Sequence, residues 1–258
     1  MNTLFRETYY LFIRAFKQSL RPYVALVPEF VVPIFFFLIN SAAFQRAVEI
    51  PGFSAESYLA FYAPVALLTA IFFTTGSTGI EVVTDISNGY MDRLFVAPVH
   101  RISIVLGKLL SVGARAAIQT IIMLIFLVIW GAPFVAGLEG VLMLLGLAFL
   151  FGMAWSGIGL TLAFLTKNPR IVQSSFIFFF PFSFVTTSQL PLDLLDGWYK
   201  QAVLLNPVTY ILEAMRALML RGYVSLTAST IDIGFVAAIL FGLVTLTAAF
   251  FSFRLLSA

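Results

Sequence analysis

Stretches of about 20 predominantly apolar residues recur along this chain from Tyr23 to Phe253, the length needed to cross about 30 Å of hydrocarbon at 1.5 Å per residue. With 61% apolar and only 10% charged residues among 258, a water-soluble fold could not cover that much apolar surface. The pattern defines an all-α polytopic membrane protein. Six spans are expected, at about 23–43, 58–80, 104–130, 138–165, 171–188 and 231–253. The whole of 1–258 reads as one domain, with residues 1–21 ahead of a six-span bundle over 23–253.

The first 21 residues have a different periodicity. At 100° per residue Phe5, Tyr9, Phe12, Phe16 and Leu20 share one face, and Arg6, Arg14, Lys17 and Arg21 lie opposite, which predicts a basic amphipathic helix lying in the membrane interface. Placing both termini in the cytoplasm divides the Lys and Arg residues 11 to 4 in favour of the inside, with only Arg46, Lys200, Arg216 and Arg221 outside. That asymmetry is the orientation signal of a membrane protein. It makes no basic stripe for nucleic acid.

Several chemistries are excluded by residue supply. There is no cysteine and a single histidine, His100, so thiolate zinc, iron–sulfur and multi-histidine sites have no ligands. No G-x-x-x-x-G-K-[ST] occurs, since Gly107-Lys108 is followed by Leu109, so this chain has no phosphate cradle of its own. Gly76-Ser77-Thr78-Gly79 and Ser156-Gly157 resemble fragments of a serine nucleophile site, but small residues of this kind let membrane helices approach closely, and His100 lies out of reach of either serine.

Candidate functional residues fall in three places. Glu29 lies inside the first span between Pro28 and Pro33, where a carboxylate is costly. Either a substrate or conformational role, or pairing with Arg21 and water near the inner edge, accounts for it. Phe180 and Phe184, in a Phe-rich run, suit either a lipid-facing surface or a substrate wall. The hydrophilic segment 81–103 is the richest. Asn88-Gly89 stops one helix, 90–96 predicts a short amphipathic helix, and Pro98 ends it. Met91, Leu94 and Phe95 beside Asp92 and Arg93 fit either a partner's groove or an interfacial turn. Before the last span, Asn206-Pro207 predicts an N-cap with proline at the first helical position, and Arg221-Gly222 a helix stop, so the external loop reads as short helices.

The string Asp85-x-x-x-Gly89-x-x-Asp92-Arg93-Leu94-x-x-x-Pro98-Val99-x-Arg101, together with Asn206-Pro207-Val208-Thr209-Tyr210 and Glu213-Ala214-x-Arg216-Ala217-Leu218, resembles the signatures of type-2 ABC exporter permeases, especially the daunorubicin-resistance-like branch. Leu190-Pro191, Gly197-Trp198 and Arg21-Pro22 with Pro33 are similar to further features of that family, and the likeness spans essentially the whole chain. Tyr90 stands where many relatives carry Thr, and Asp196 where Pro is common.

The resemblance implies a permease in a bacterial or archaeal inner membrane. It would pair with a second permease, identical or related, and bind two cytoplasmic ATPase subunits. The chain itself would be no enzyme and hold no cofactor or metal, with ATP and Mg on the partner. Gly89, Met91, Asp92, Arg93, Leu94, Pro98 and Arg101 would form the coupling element, and Asn206, Pro207, Tyr210, Glu213 and Arg216 the external-loop motif. Substrate would pass between the two permeases, with Glu29, Phe180 and Phe184 as candidates along its path. A small amphipathic, drug-like or lipid-like substrate is expected, with a lipid-linked saccharide or polysaccharide as the family's other class. A proton- or ion-coupled transporter using Glu29 is the rival from another class. A lipid-modifying membrane enzyme is a further one, although the twelve acidic residues are scattered.

Overall fold

A computed structural model describes residues 3–21, 26–220, 223 and 229–256. Among these residues there are twelve α-helices and no strand: α1 (Thr3–Ser19), α2 (Val27–Ala43), α3 (Tyr58–Gly76), α4 (Thr78–Ser87), α5 (Tyr90–Val96), α6 (Arg101–Ile129), α7 (Gly137–Thr166), α8 (Pro169–Ser174), α9 (Phe179–Phe184), α10 (Gly197–Leu205), α11 (Pro207–Met219) and α12 (Thr230–Leu256).

Four helical stretches are long and apolar enough to span a bilayer: α3 running on through α4, α6, α7 and α12. The other two expected spans differ in form. α2 is an apolar helix of 17 residues, and 22–25, where the sequence begins that span, lie outside the described residues, as does the Arg221-Gly222 stop. The expected fifth span is no continuous helix but α8, a 3-10 turn at Ser175–Phe178, and α9, which ends at Phe184. Its sequence explains the break. The Ser174 and Ser175 hydroxyls donate to the carbonyls of Ile171 and Val172 three residues back, at 2.7 and 2.6 Å, and Pro181 offers no N–H, so the α ladder is not sustained. α10 and α11 meet at 82°.

The core forms around α3 and α7. Leu67, Leu68, Ile71 and Phe151 are fully buried, and Phe72 meets Phe151, Trp155 and Phe179 edge-on at centroid distances of 5.3, 4.4 and 5.2 Å, the arrangement that ring quadrupoles favour. α3 is thus enclosed by protein. α12 is peripheral, with Val236, Leu240, Leu243 and Val244 more than half exposed.

α1 packs along α6 on a narrow stripe in which Thr8 and Ala15 are buried. Its aromatic face points outward, with Phe5 60% and Tyr9 50% exposed, as an interface helix requires. The expected opposite basic face is interrupted by Arg14, which turns inward.

The small-residue motifs pack helices. A Cβ on Gly79 would come within 2.5 Å of the Gly159 carbonyl oxygen and 2.6 Å of Val172, so α4 and α7 touch backbone to backbone there. Backbone cannot yield as a side chain can. Gly79→Ala is therefore expected to lower stability by about 1–3 kcal/mol, while Gly76→Ala, whose Cβ would meet only the Phe176 ring at 3.5 Å, changes it little. Thermal unfolding of the two purified variants checks this, and equal midpoints would contradict the packing.

Candidate functional site

The elbow between α4 and α6 has the bounds that the sequence predicts. Gly89 adopts a left-handed φ of +67°, a conformation glycine takes without a Cβ penalty, and the chain reverses into α5 before Pro98. Arg14 of α1 grips Asp85 of α4 through two hydrogen bonds of 2.8 Å, and Gln18 adds a third at 2.9 Å. A fork-to-fork arginine–carboxylate pair fixes orientation as well as distance. The Arg14 guanidinium also lies 3.3 Å from the centroid of the Tyr90 ring. Burial opposes the guanidinium's charge, but Asp85 outweighs it and holds the Arg14 pKa above its ordinary value. Burial pushes the Tyr90 phenol up. Nearby, the backbone N–H of His100 and its Nδ1 both meet Glu7 at 2.9 Å, and Ser103 donates to the same oxygen at 3.1 Å. The His100 backbone N–H is the main cause holding the Glu7 carboxyl below the usual range. α1 is thereby tied to α4, α5 and the start of α6.

Within α5 the faces differ from the sequence expectation. Met91 is buried at 5% exposure among Val83, Ile104, Phe164 and Phe253, and Leu94 is half-buried against the same cluster. These two side chains fill the chain's own bundle rather than a partner's groove, because a helix of two turns can bury only one apolar edge and its own bundle is adjacent. What α5 and its exit present outward is Asp92, Arg93, Val96 and Pro98, with Val96 87% exposed. Arg101, at the start of α6, is exposed as well.

A second cluster lies deeper. Glu29 of α2, for which pairing with Arg21 was one of the open readings, accepts from Arg115 of α6 at 2.7 Å, and both residues are buried. Arg115 also reaches Glu81 of α4 at 2.9 Å, and Lys108 donates to the other Glu81 oxygen at 2.5 Å. Gln119 donates to the Glu29 backbone carbonyl at 2.9 Å. Two carboxylates face two cations across α2, α4 and α6, which neutralises the group where isolated charge is expensive.

In a third cluster Arg216, which the sequence places in a hydrophilic loop, is enclosed by protein. Glu213 and Arg216 are completely buried, and Arg216 donates to Glu213 at 2.5 Å. It donates further to the carbonyls of Thr187 at 3.0 Å and Phe61 at 3.2 Å, and its guanidinium sits 3.9 Å from the centroid of the Phe61 ring. Tyr223 donates to the second Glu213 oxygen at 2.9 Å, and the Thr187 hydroxyl donates to the first. The Asn206 side chain accepts from the Val208 N–H at 3.0 Å, capping α11 as the sequence predicts, and donates to the carbonyls of Phe182 and Val185 at 3.1 and 2.6 Å. Tyr210 donates to the Leu204 carbonyl at 2.7 Å. The external-loop motif is therefore the framework that seats α11 against α3 and α12.

Phe180 and Phe184 stack at 6.2 Å and stand 53% and 43% exposed. Glu29, by contrast, is buried. Lys108, Glu81 and Arg115 went unrecognised as a site because their partners are 27 to 86 positions apart. The one usable signal was the presence of charges within apolar segments.

A helical membrane bundle with a buried, internally neutral charge network and a protruding elbow helix has the form of a polytopic transport protein. Comparison with known families sharpens this, because residues 6–220 match the family described as ABC-2 type transporter. The chain belongs to that family and is a multi-pass membrane permease. It is 29% identical over 211 residues to the probable doxorubicin resistance ABC transporter permease protein DrrC of Mycobacterium tuberculosis, covering 81% of this chain and 75% of the relative. It is 29% identical over 228 residues to the daunorubicin resistance ABC transporter permease protein DrrB1 of Streptomyces coeruleorubidus (87% and 77%). It is 26% identical over 238 residues to the putative transport permease ycf38 of Cyanophora paradoxa (89% and 80%).

Removing the central cation is the severest change to the deep cluster. Arg115→Met leaves Glu29 and Glu81 facing one another with only Lys108 between the pair and neutrality, and is expected to cost about 3–5 kcal/mol. Replacing Glu29 and Arg115 together by Gln and Met should cost less than Arg115→Met alone. Melting temperatures of the two variants check the order, and a double variant less stable than the single would contradict the pairing.

Proposed function

We propose that this chain is the membrane-spanning subunit of an ATP-driven exporter that moves a small amphipathic, drug-like or lipid-like molecule out of the cytoplasm. A second permease, identical or related, completes the pathway, and two separate ATPase subunits bind ATP and Mg. The observation that carries this reading is the elbow: an exposed face of Asp92, Arg93, Val96 and Pro98 borne on a helix that Arg14, Asp85 and Tyr90 lock to α1 and α4. A push on α5 is then delivered to α4 and, through Glu81, to α2 and α6. The doxorubicin and daunorubicin resistance of the named relatives supports a drug-like substrate.

In this reading both termini and α5 face the cytoplasm of a bacterial or archaeal cell, the 11 to 4 distribution of Lys and Arg being the positive-inside signature. α10 and α11, bent at 82°, form a re-entrant element at the outer side, with polar groups buried in protein as the bilayer demands. A proton-coupled mechanism is disfavoured by the same geometry, since the Glu29 carboxylate is engaged by Arg115 rather than held ready to exchange protons.

Two experiments test the proposal. Charge reversal at both Asp92 and Arg93 should leave membrane insertion intact while abolishing co-purification of the ATPase or its stimulation; unchanged assembly, ATP hydrolysis and export would refute the coupling role. Single cysteines at Asn88 and Glu56, both exposed in a chain with no other cysteine, report the orientation. An impermeant maleimide should label position 56 and not 88 in intact cells, and the reverse pattern would invert the topology.

A further inference from the structure

Inside the elbow a cavity of about 30 Å³ lies between α1, α4, α5, α6 and α7. Its apolar wall includes Ala15, Met91, Val105 and Phe164, and Arg14, Asp85 and Lys108 line it as well. The size excludes an organic ligand, since a cavity that holds benzene measures about 150 Å³. Water needs about 10–15 Å³ for each molecule, together with two or more polar partners, so about two molecules fit.

The supply of hydrogen-bonding groups points the same way. Lys108 is 8% exposed and its ammonium carries three N–H donors, but among the described residues Glu81 is the one acceptor it meets. Two donors are thus left over in the wall of the cavity, where an unpaired N–H is costly. On the α4 side, Asp85 Oδ1 accepts from Arg14 and Gln18, whereas Oδ2 accepts from Arg14 alone. Oδ2 therefore retains accepting capacity. Among the described residues Lys108 and Asp85 share no direct hydrogen bond, although both line the cavity. An ion there would have no charge to balance, because Arg14 already faces Asp85 and Lys108 already faces Glu81. The geometry calls for a neutral molecule that both accepts and donates.

We infer that the elbow cavity is a site for bound water, in which Lys108 donates to a water molecule and the water donates to Asp85 Oδ2. Bridging waters of this kind are nearly as good in enthalpy as direct hydrogen bonds. The bridge joins the Arg14–Asp85 clamp to the network of Lys108, Glu81 and Arg115, so that the two charge clusters form one hydrogen-bonded chain. It does not depend on what the protein transports or on what drives transport.

The test is X-ray hydroxyl-radical footprinting of the full chain in nanodiscs, with methionine oxidation read by mass spectrometry. Radicals form from water where it sits, so a buried methionine beside bound water is oxidised and one in a dry core is spared. Met91 lines the cavity and is 5% exposed, whereas Met123 and Met215 are fully buried in the apolar core around α3. Met91 is expected to be oxidised about tenfold faster than either, because only its surroundings hold water. Ala15→Val puts two further carbons into the cavity, keeps Lys108 and Asp85, and should bring Met91 down to the rate of Met123. Lys108→Met removes the donors and should act in the same direction. Equal oxidation of the three methionines in the unaltered chain would overturn the inference even if both variants failed to fold. So would a Met91 rate that the folded variants leave unchanged, since the water would then come from outside the cavity.

Discussion

Two carboxylates and two cations share the water-poor space between α2, α4 and α6, and the position of these three helices follows from how the four groups are matched. Arg115 is the hinge of the arrangement, since among the described residues it alone forms ion pairs with both Glu29 and Glu81. Taking such charges out of water costs several kcal/mol for each ion, and the mutual attraction offsets that only when geometry and hydrogen bonding are good. The group is therefore a specificity device more than a source of net stability. Any other register of α2 against α6 would strand Glu29 in an apolar setting, which penalises misassembly of helices that dispersion forces alone would let slide.

The end of the bundle away from the elbow repeats the same physics. Glu213 and Arg216 would be prohibitive as isolated buried charges, yet here both carboxylate oxygens and most N–H groups meet a partner: Thr187, Tyr223, the Phe61 carbonyl and the Phe61 ring. Asn206 then joins the start of α11 to the end of α9 through Phe182 and Val185. Fixed at one end by this cluster and at the other by the Arg14–Asp85 clamp, the bundle has two rigid termini with the apolar α3–α7 core between them. Static contacts join α5 to α1 and α4, and Glu81 joins α4 to the deep network.

The helices and their ends were largely legible because they depend on local chemistry: hydropathy over about 20 residues, Gly89 with its positive φ, Asn206 as a cap, Pro98 and Pro207 as punctuation. The expected 90–96 helix has its predicted bounds for this reason. What sequence could not show was the direction in which individual side chains face across helices far apart in the chain. Proximity offered Arg21 as one partner for Glu29, but the observed partner is 86 positions away. Met91 looked available to a partner because amphipathicity does not reveal which protein the apolar edge enters. The break within 171–188 was hidden because average hydropathy is blind to serine hydroxyls that compete for backbone carbonyls and to a proline without an N–H. The burial of Arg216 was hidden because a span count built on hydropathy has no place for a buried helix such as α11.

In the function proposed above, the buried acids are structural and energy enters at the elbow from ATP hydrolysed by a partner. The permease and its ATPase, co-reconstituted in vesicles, allow doxorubicin transport to be followed with ATP alone, with an imposed pH gradient alone, and with both. The account predicts transport with ATP, none with the gradient alone, and no gain from adding the gradient to ATP. Transport driven by the gradient in the absence of ATP, and lost on Glu29→Gln, would contradict it and make Glu29 a proton carrier.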